Sequence, residues 1–509
     1  MTAAQACVIG LDLGTSGVKA VLLSASGRLL AEAVSPLEVS RPQPLWSEQN
    51  PADWWAATDA VMQRLRDAAD PAHWSQVRAM AVAGQMHGAV LLNAAGAVLR
   101  PAILWNDGRS QAQCAELEAR EPASRRITAN RAMAGFTAPK MMWVAQHEPH
   151  IFSQVAKVLL PKDWLVFQLT GVMSSDCSDA AGTLWLDVAR RDWSDTLLQA
   201  TGLTRSHMPR LVEGSAVSAH LSFATAAALG LPSGLPVAGG AGDNAASAIG
   251  IGAIHTGDSF VSLGTSGVIF SVTDRHRPNV AEAVHAFCHA LPGLWHQMAV
   301  MLSAASALRW VTQTTGHSDE AALLAHVAQL SASERAAAPL FLPYLSGERT
   351  PHNNADASGV FFGLRHSHGA PHLGYGVIEG VALGLRDGLD AMRRAGSRIE
   401  QLQLVGGGSR SLLWAQLLAD ALDVTVLIGQ ASNVGAALGA ARLAQLCVLG
   451  ATPENLVGIC TPPQTLHACQ PQAAGAAVAQ RRQALYRSAY SAMQPVFRAA
   501  AHGTNHLPC

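Results

Sequence analysis

The hexapeptide Leu13-Gly14-Thr15-Ser16-Gly17-Val18 is written a second time as Leu263-Gly264-Thr265-Ser266-Gly267-Val268. Each copy separates two apolar runs, residues 7–13 and 18–23 around the first and residues 259–261 and 268–272 around the second. A further run at 29–34 extends the first into a β-meander. The shared context predicts strand, tight turn, strand in both places. It excludes a P-loop, which leads from a strand into a helix and needs G-x-x-x-x-G-K-[ST]. A Gly-Thr-Ser-Gly tip joins glycine's access to positive φ with backbone N–H groups and hydroxyls that can converge on an anion. Two such tips, one near the start of each half, predict a duplicated pair of phosphate loops facing each other across a cleft.

At 509 residues the chain is too long for one core, and about 150 residues per domain allows roughly two to four domains. Charged residues are 14% of the chain, against about 25% in an average soluble protein, and hydrophobic residues are 49%, so much of the chain must be buried. A net charge of −1 and the absence of any Lys/Arg run exclude nucleic acid or a membrane surface as a partner held by bulk electrostatics. The first apolar run has no basic region before it and is interrupted by Asp12 and Lys19. It reads as neither a signal peptide nor a membrane span, which implies a cytoplasmic protein. Cys7, Cys114, Cys177, Cys288, Cys447, Cys460, Cys469 and Cys509 contain no C-x-x-C and read as reduced, mostly buried thiols. His285, Cys288 and His289 are close enough to suggest a metal site, but no second ligand pair of matching spacing accompanies them.

The two hairpins differ where phosphate chemistry would ask them to. Asp12 precedes the first tip and Lys19 follows it, whereas Ser262 and Ile269 hold those places in the second. Asp12 can hold a Mg²⁺ ion and Lys19 can offer a cation to the phosphates; a surface salt bridge between them is the alternative. A third glycine cluster, Gly406-Gly407-Gly408-Ser409, lies between a buried strand at 401–405 and a helix at 411–422. Its bare backbone can approach an adenosine and its phosphates.

Four segments carry a resemblance: GQMHGA at 84–89, RPAILWNDGR at 100–109, GFTAPKMMWV at 135–144 and PYLSGERTPHNN at 343–354. SDAAGTLWLDVARRDWS at 178–194 and GGAGDNAA at 239–246 strengthen it. From about residue 8 to about residue 445 the chain resembles the FGGY carbohydrate kinase family of the actin-like ATPase superfamily. The resemblance implies an α/β protein of two ribonuclease-H-like lobes, each with a five-stranded mixed sheet, and an ATP/sugar cleft between them. It implies ATP-dependent phosphorylation of D-xylulose with Mg²⁺, and a homodimer as one form of assembly. A kinase of another ketose or polyol would share the ATP half. An actin-like non-sugar ATPase would share the hairpins but have no reason to keep a sugar pocket.

The expected organisation is a first lobe at 1–247, a second at 248–480, and a helix and tail at 481–509. The small residues around 245–257 suit either a hinge or a close-packed helix. Helical spacing of Leu485, Tyr486, Ala489, Tyr490 and Met493 predicts a helix at 484–497 docking that face. By the resemblance Met86, His87, Trp105, Asn106, Asp107 and Asn244 bind the sugar, and Asp243 is the catalytic carboxylate that accepts the hydroxyl proton. From spacing alone Asp243 could equally cap a helix at 244–249. Gly14, Thr15, Ser16, Lys19, Gly264, Thr265, Ser266, Gly407 and Gly408 would hold ATP, with Asp12 as a second catalytic carboxylate on the metal. Lys140 and the indoles Trp46, Trp54 and Trp55 read as packing residues.

Overall fold

The computed structural model describes residues 6–430 and 435–502. Its first meander forms where the apolar runs require it: Cys7–Leu13, Gly17–Ser24 and Leu29–Pro36 pair antiparallel in succession. Val77–Gly84 and then Pro236–Ala238 add in parallel on the other side of Cys7–Leu13. The second sheet repeats the pattern. Ser259–Leu263, Gly267–Thr273 and Trp295–Met301 are antiparallel, while Gln401–Val405 and Thr425–Gly429 add in parallel. The ribonuclease-H-like order is therefore present twice, and each sheet is widened beyond the expected five strands to seven. Val217–His220 and the short Ala241–Gly242 enlarge the first sheet; His285–Cys288 and Thr465–Cys469 edge the second.

Side chains of a strand alternate between faces. Ile9, Leu11 and Leu13 enter a core shared with the helix Pro51–Ala68. Val8, Gly10 and Asp12 take the other face, which the helices Asp243–Gly250 and Gly435–Leu449 cover with a small-residue core. These two helices touch backbone to backbone, because a Cβ on Gly439 would stand 1.7 Å from the carbonyl oxygen of Ala246. The segment around 245–250 is thus a close-packed helix, and the boundary expected between 247 and 248 falls inside it. Gly439→Ala should cost at least the about 1–3 kcal/mol typical of overpacking, read from urea unfolding midpoints. An unchanged midpoint would mean that the helix pair can part freely.

The C-terminal helix runs over Ala473–His502, beginning earlier than the apolar spacing suggests. Tyr486, Tyr490 and Phe497 pack beside Tyr344, but Leu485 is turned to solvent. Ala489 and Met493 pack against the same cluster, and ion pairs of Arg482 with Glu379 and of Arg487 with Asp387 and Asp390 flank the docked face. None of the cysteines from Cys7 to Cys469 forms a disulfide among the described residues, and Cys509 lies outside them. Among the described residues no helix is long and apolar enough to cross a membrane.

Candidate active site

Both phosphate hairpins and the glycine cluster sit at the carboxyl ends of parallel strands, the edge of an α/β sheet where ligands gather. Gly14–Ser16 follow Cys7–Leu13, Met86 and His87 follow Val77–Gly84, and Asp243 follows Ala241–Gly242. On the second sheet Gly264–Ser266 follow Ser259–Leu263 and Gly406–Gly408 follow Gln401–Val405. Between the two edges lies a cavity of about 270 Å³. Met86, His87, Trp105, Asp243 and Asn244 line it from the first half of the chain, and Ser266, His285, Phe287 and Arg349 from the second.

Asp243 opens the helix Asp243–Gly250, with Gly242 rather than Asp243 at the capping position. Its Oδ1 accepts from the backbone and side-chain nitrogens of Asn244 at 2.7 and 2.9 Å, and its Oδ2 has no hydrogen bond within the described protein. Burial pushes the carboxyl up to about 6 despite those two bonds. Asp12 lies on the sheet face that this helix covers. Burial first and the Asp243 carboxylate second push it up to about 7, with Lys19 opposing. Its Oδ1 is buried without a hydrogen-bond partner. A buried carboxylate raised by a neighbouring carboxylate and left with an orphaned oxygen fits a divalent cation, which Asp12 would hold. No cluster of three or more His, Cys, Asp or Glu among the described residues is arranged to hold a metal ion, so His285, Cys288 and His289 form no such centre.

His87 is a non-glycine residue at φ 71°, in the left-handed region. Its carbonyl oxygen accepts from Lys140 Nζ at 2.9 Å and Thr137 Oγ1 at 3.0 Å, and its ring meets Phe136 edge-on. The fully buried Lys140 is therefore the strut that holds His87 in an unfavourable backbone state. Burial lowers the imidazole to about 3, so it is neutral at pH 7. Nδ1 lies 2.7 Å from the carbonyl oxygen of Gly182, an obligate acceptor, which leaves Nε2 as an acceptor for a substrate hydroxyl.

Trp105 Nε1 donates to Thr15 Oγ1 at 3.0 Å, which in turn donates to Gln85 Oε1 at 2.9 Å, so the first hairpin is tied to the cavity wall. Gln49 Nε2 fixes the carbonyl of Thr15 at 2.8 Å. The second hairpin is held by a helix start, the N–H groups of Ala304 and Ala305 donating to the carbonyls of Thr265 and Gly264. Gly406, at φ 87°, packs so closely on Leu263 that a Cβ would stand 2.7 Å from its carbonyl oxygen. Gly407 and Gly408 then face a second cavity of about 610 Å³, walled by Ala305, Leu308, Ala321 and Leu324.

Three expected contacts lie elsewhere. Asp107 is fully engaged by Ser47 N at 2.6 Å and by Arg109 Nε and Nη2 at 2.9 and 2.7 Å, off the cavity. Asn106 is exposed beside Trp46 in a separate surface depression. Lys19 pairs with Glu32 at 3.1 Å across the meander.

Residues 7–250 match the N-terminal domain of the FGGY family of carbohydrate kinases, and residues 260–446 match its C-terminal domain. The chain belongs to this family. It is 50% identical over 489 residues to the xylulose kinase of Escherichia coli K12, covering 96% of this chain and 99% of that one. It is 53% identical over 442 residues to the xylulose kinase of Klebsiella pneumoniae, covering 86% and 90%. A crystal structure described as a xyloylose kinase from Brucella ovis superposes with a TM-score of 0.92 at 47% identity, covering 96% of this chain and all of that one. The protein is thus a phosphotransferase with an alcohol acceptor.

Sequence reasoning missed several residues of this kinase's clefts. His285 and Phe287, two apart on one strand and stacked at 5.5 Å, share a face that forms the cavity wall. Arg349 stands in the PYLSGERTPHNN segment, where the only basic cation of a polar, turn-rich stretch was the available signal. The apolar walls of the second cavity carry no signal of their own, because Ala and Leu at helical spacing read as core.

Proposed function

We propose that this kinase transfers the γ-phosphoryl group of ATP to the 5-hydroxyl of D-xylulose. Asp243 Oδ2, with no hydrogen bond inside the described protein yet beside His87 on the cavity wall, carries the reading. The names of relatives about half identical over nearly the whole chain support the choice of sugar. Asp243 takes the proton of the hydroxyl as its oxygen attacks in line, since a neutral hydroxyl is a poor nucleophile. Met86, His87, Trp105 and Asn244 orient the sugar, with His87 Nε2 accepting from one hydroxyl. The backbone and hydroxyls of Gly14–Ser16 and Gly264–Ser266 hold the phosphates, and Gly407 and Gly408 adjoin the adenosine. Asp12 would hold Mg²⁺, which when bound would neutralise phosphate charge. Approach of the two sheets' loop edges excludes water and limits wasteful hydrolysis.

The test is ADP release with Mg-ATP and each of D-xylulose, L-xylulose, D-ribulose, L-ribulose and glycerol, beside a sugar-free control. Strong selectivity for D-xylulose is expected. Selectivity for another sugar would overturn the pocket reading while keeping the kinase, and sugar-independent turnover would overturn sugar phosphorylation itself.

A further inference from the structure

Arg349 lines the cavity between the lobes, yet among the described residues its guanidinium makes no hydrogen bond or ion pair. The adjacent carboxylate does not serve it. Glu348 Oε1 accepts instead from the backbone N–H groups of Leu302 at 3.2 Å and of Arg349 itself at 2.6 Å. Burial also pushes Glu348 up to about 8, with the two backbone N–H groups and the Arg349 charge opposing the shift. A guanidinium that faces a cavity with five donors and no protein acceptor is open to a ligand that supplies one.

The position within the cavity indicates which part of the ligand that is. Arg349 acts electrostatically on His87 and His285, both held low mainly by burial and further by its charge. Geometry agrees: the neighbouring Thr350 donates its N–H to the carbonyl oxygen of Val300 at 3.0 Å and its Oγ1 to that of Ala283 at 2.9 Å, two positions before His285. Arg349 therefore stands against the wall that carries His285, Phe287 and Val300, on the second half of the chain, whereas Asp243 and Asn244 line the cavity from the first.

We infer that Arg349 binds the end of the sugar remote from the reacting hydroxyl, donating to its carbonyl oxygen, and so selects a ketose over the corresponding polyol. This inference rests on the reading of the cavity as a sugar site. A carbonyl only accepts hydrogen bonds and a guanidinium only donates them, so the pair is matched without reorientation; a hydroxyl there must turn its proton away. His87 Nε2, an acceptor, suits a neighbouring hydroxyl and not the carbonyl. Because His87 follows a strand of the first sheet and Arg349 comes from the second half of the chain, one sugar bridges both.

The experiment compares wild type, Arg349→Met and Arg349→Lys in steady-state kinetics with the preferred ketose and with the pentitols carrying a hydroxyl in place of its carbonyl. Loss of a hydrogen bond from a charged group predicts a rise of about 10- to 100-fold in KM for the ketose in Arg349→Met. KM for ATP should stay within about threefold, and the ketose-to-pentitol ratio of kcat/KM should fall. Arg349→Lys, which keeps the charge but not the fork, should lie between and serves alone if the Met variant does not fold. An unchanged sugar KM, an equal loss towards ATP, or an unchanged ketose-to-pentitol ratio would each overturn the assignment. The wild-type sugar panel judges the proposed reaction separately: a different preferred sugar would displace D-xylulose, while the variant-to-wild-type ratios on that sugar would still judge Arg349. A wild type that turns over no sugar would overturn both.

Discussion

Asp243→Ala should lower kcat by about 10²- to 10⁴-fold, the range lost with a positioned general base, while ATP affinity changes little. The effect should be mirrored in the pH profile of the intact enzyme. The Asp243 carboxyl is raised by burial to about 6, so its basic form predominates above that pH and disappears below it. For wild type, kcat/KM should therefore fall about tenfold per pH unit on the acid side of pH 6, and the residual activity of the variant should not follow that limb. Stopped or coupled measurement of ADP release across pH 5 to pH 8, by about half-unit steps, reads both. A variant within a few-fold of wild type would remove Asp243 from the base role.

Lys162→Met should destabilise the protein by about 3–5 kcal/mol, because it strips the cation from a buried cluster of carboxylates. Lys162 Nζ stands 2.8 Å from Asp163 Oδ1, 3.1 Å from Asp176 Oδ1 and 3.3 Å from the carbonyl oxygen of Gly239. Both oxygens of Asp179 are buried without a hydrogen bond, and burial with the neighbouring carboxylates holds that group well above the usual carboxylate range. The network ends one residue from the proposed base. Asp176 Oδ2 accepts from Ser178 Oγ at 2.5 Å, and Ser178 Oγ accepts from Gly242 N at 3.1 Å. The loss of stability should thus be accompanied by reduced kcat in the folded variant. Urea unfolding at neutral pH measures the first, and repeating it near pH 5 should show a smaller penalty as the carboxyls take up protons. A neutral-pH midpoint matching wild type would show that the cluster needs no ammonium.

The twin hairpins, the glycine cluster and the strands around them were legible because each is local. A strand reveals itself by its apolar run and a tight turn by Gly and polar residues. Repetition of the whole unit implies a repeated fold whatever the lobes do next. The C-terminal helix was legible in kind and in most of its apolar face: Tyr486, Ala489, Tyr490 and Met493 pack as their spacing predicts, while Leu485 faces solvent. Asp107 and Asn106 show the limit of reading a pocket from adjacent letters. Trp105 reaches the cavity, Asn106 faces solvent, and Asp107 is taken by Arg109, so three neighbours in sequence have three environments.

Sequence alone determined that a strand-turn-strand unit is written twice, that a third glycine turn accompanies the pair, and that Asp12 distinguishes the first unit from the second. These follow from φ/ψ preferences and residue chemistry within a few positions. Tertiary structure alone decided that Asp12 and Asp243 share one covered sheet face, that Lys140 braces His87 from below, and that Arg349 crosses to the histidines of the same cavity. Strand alternation says which residues share a face but not which helix will cover it. That is settled by backbone contacts such as Gly439 against Ala246, between segments almost two hundred positions apart.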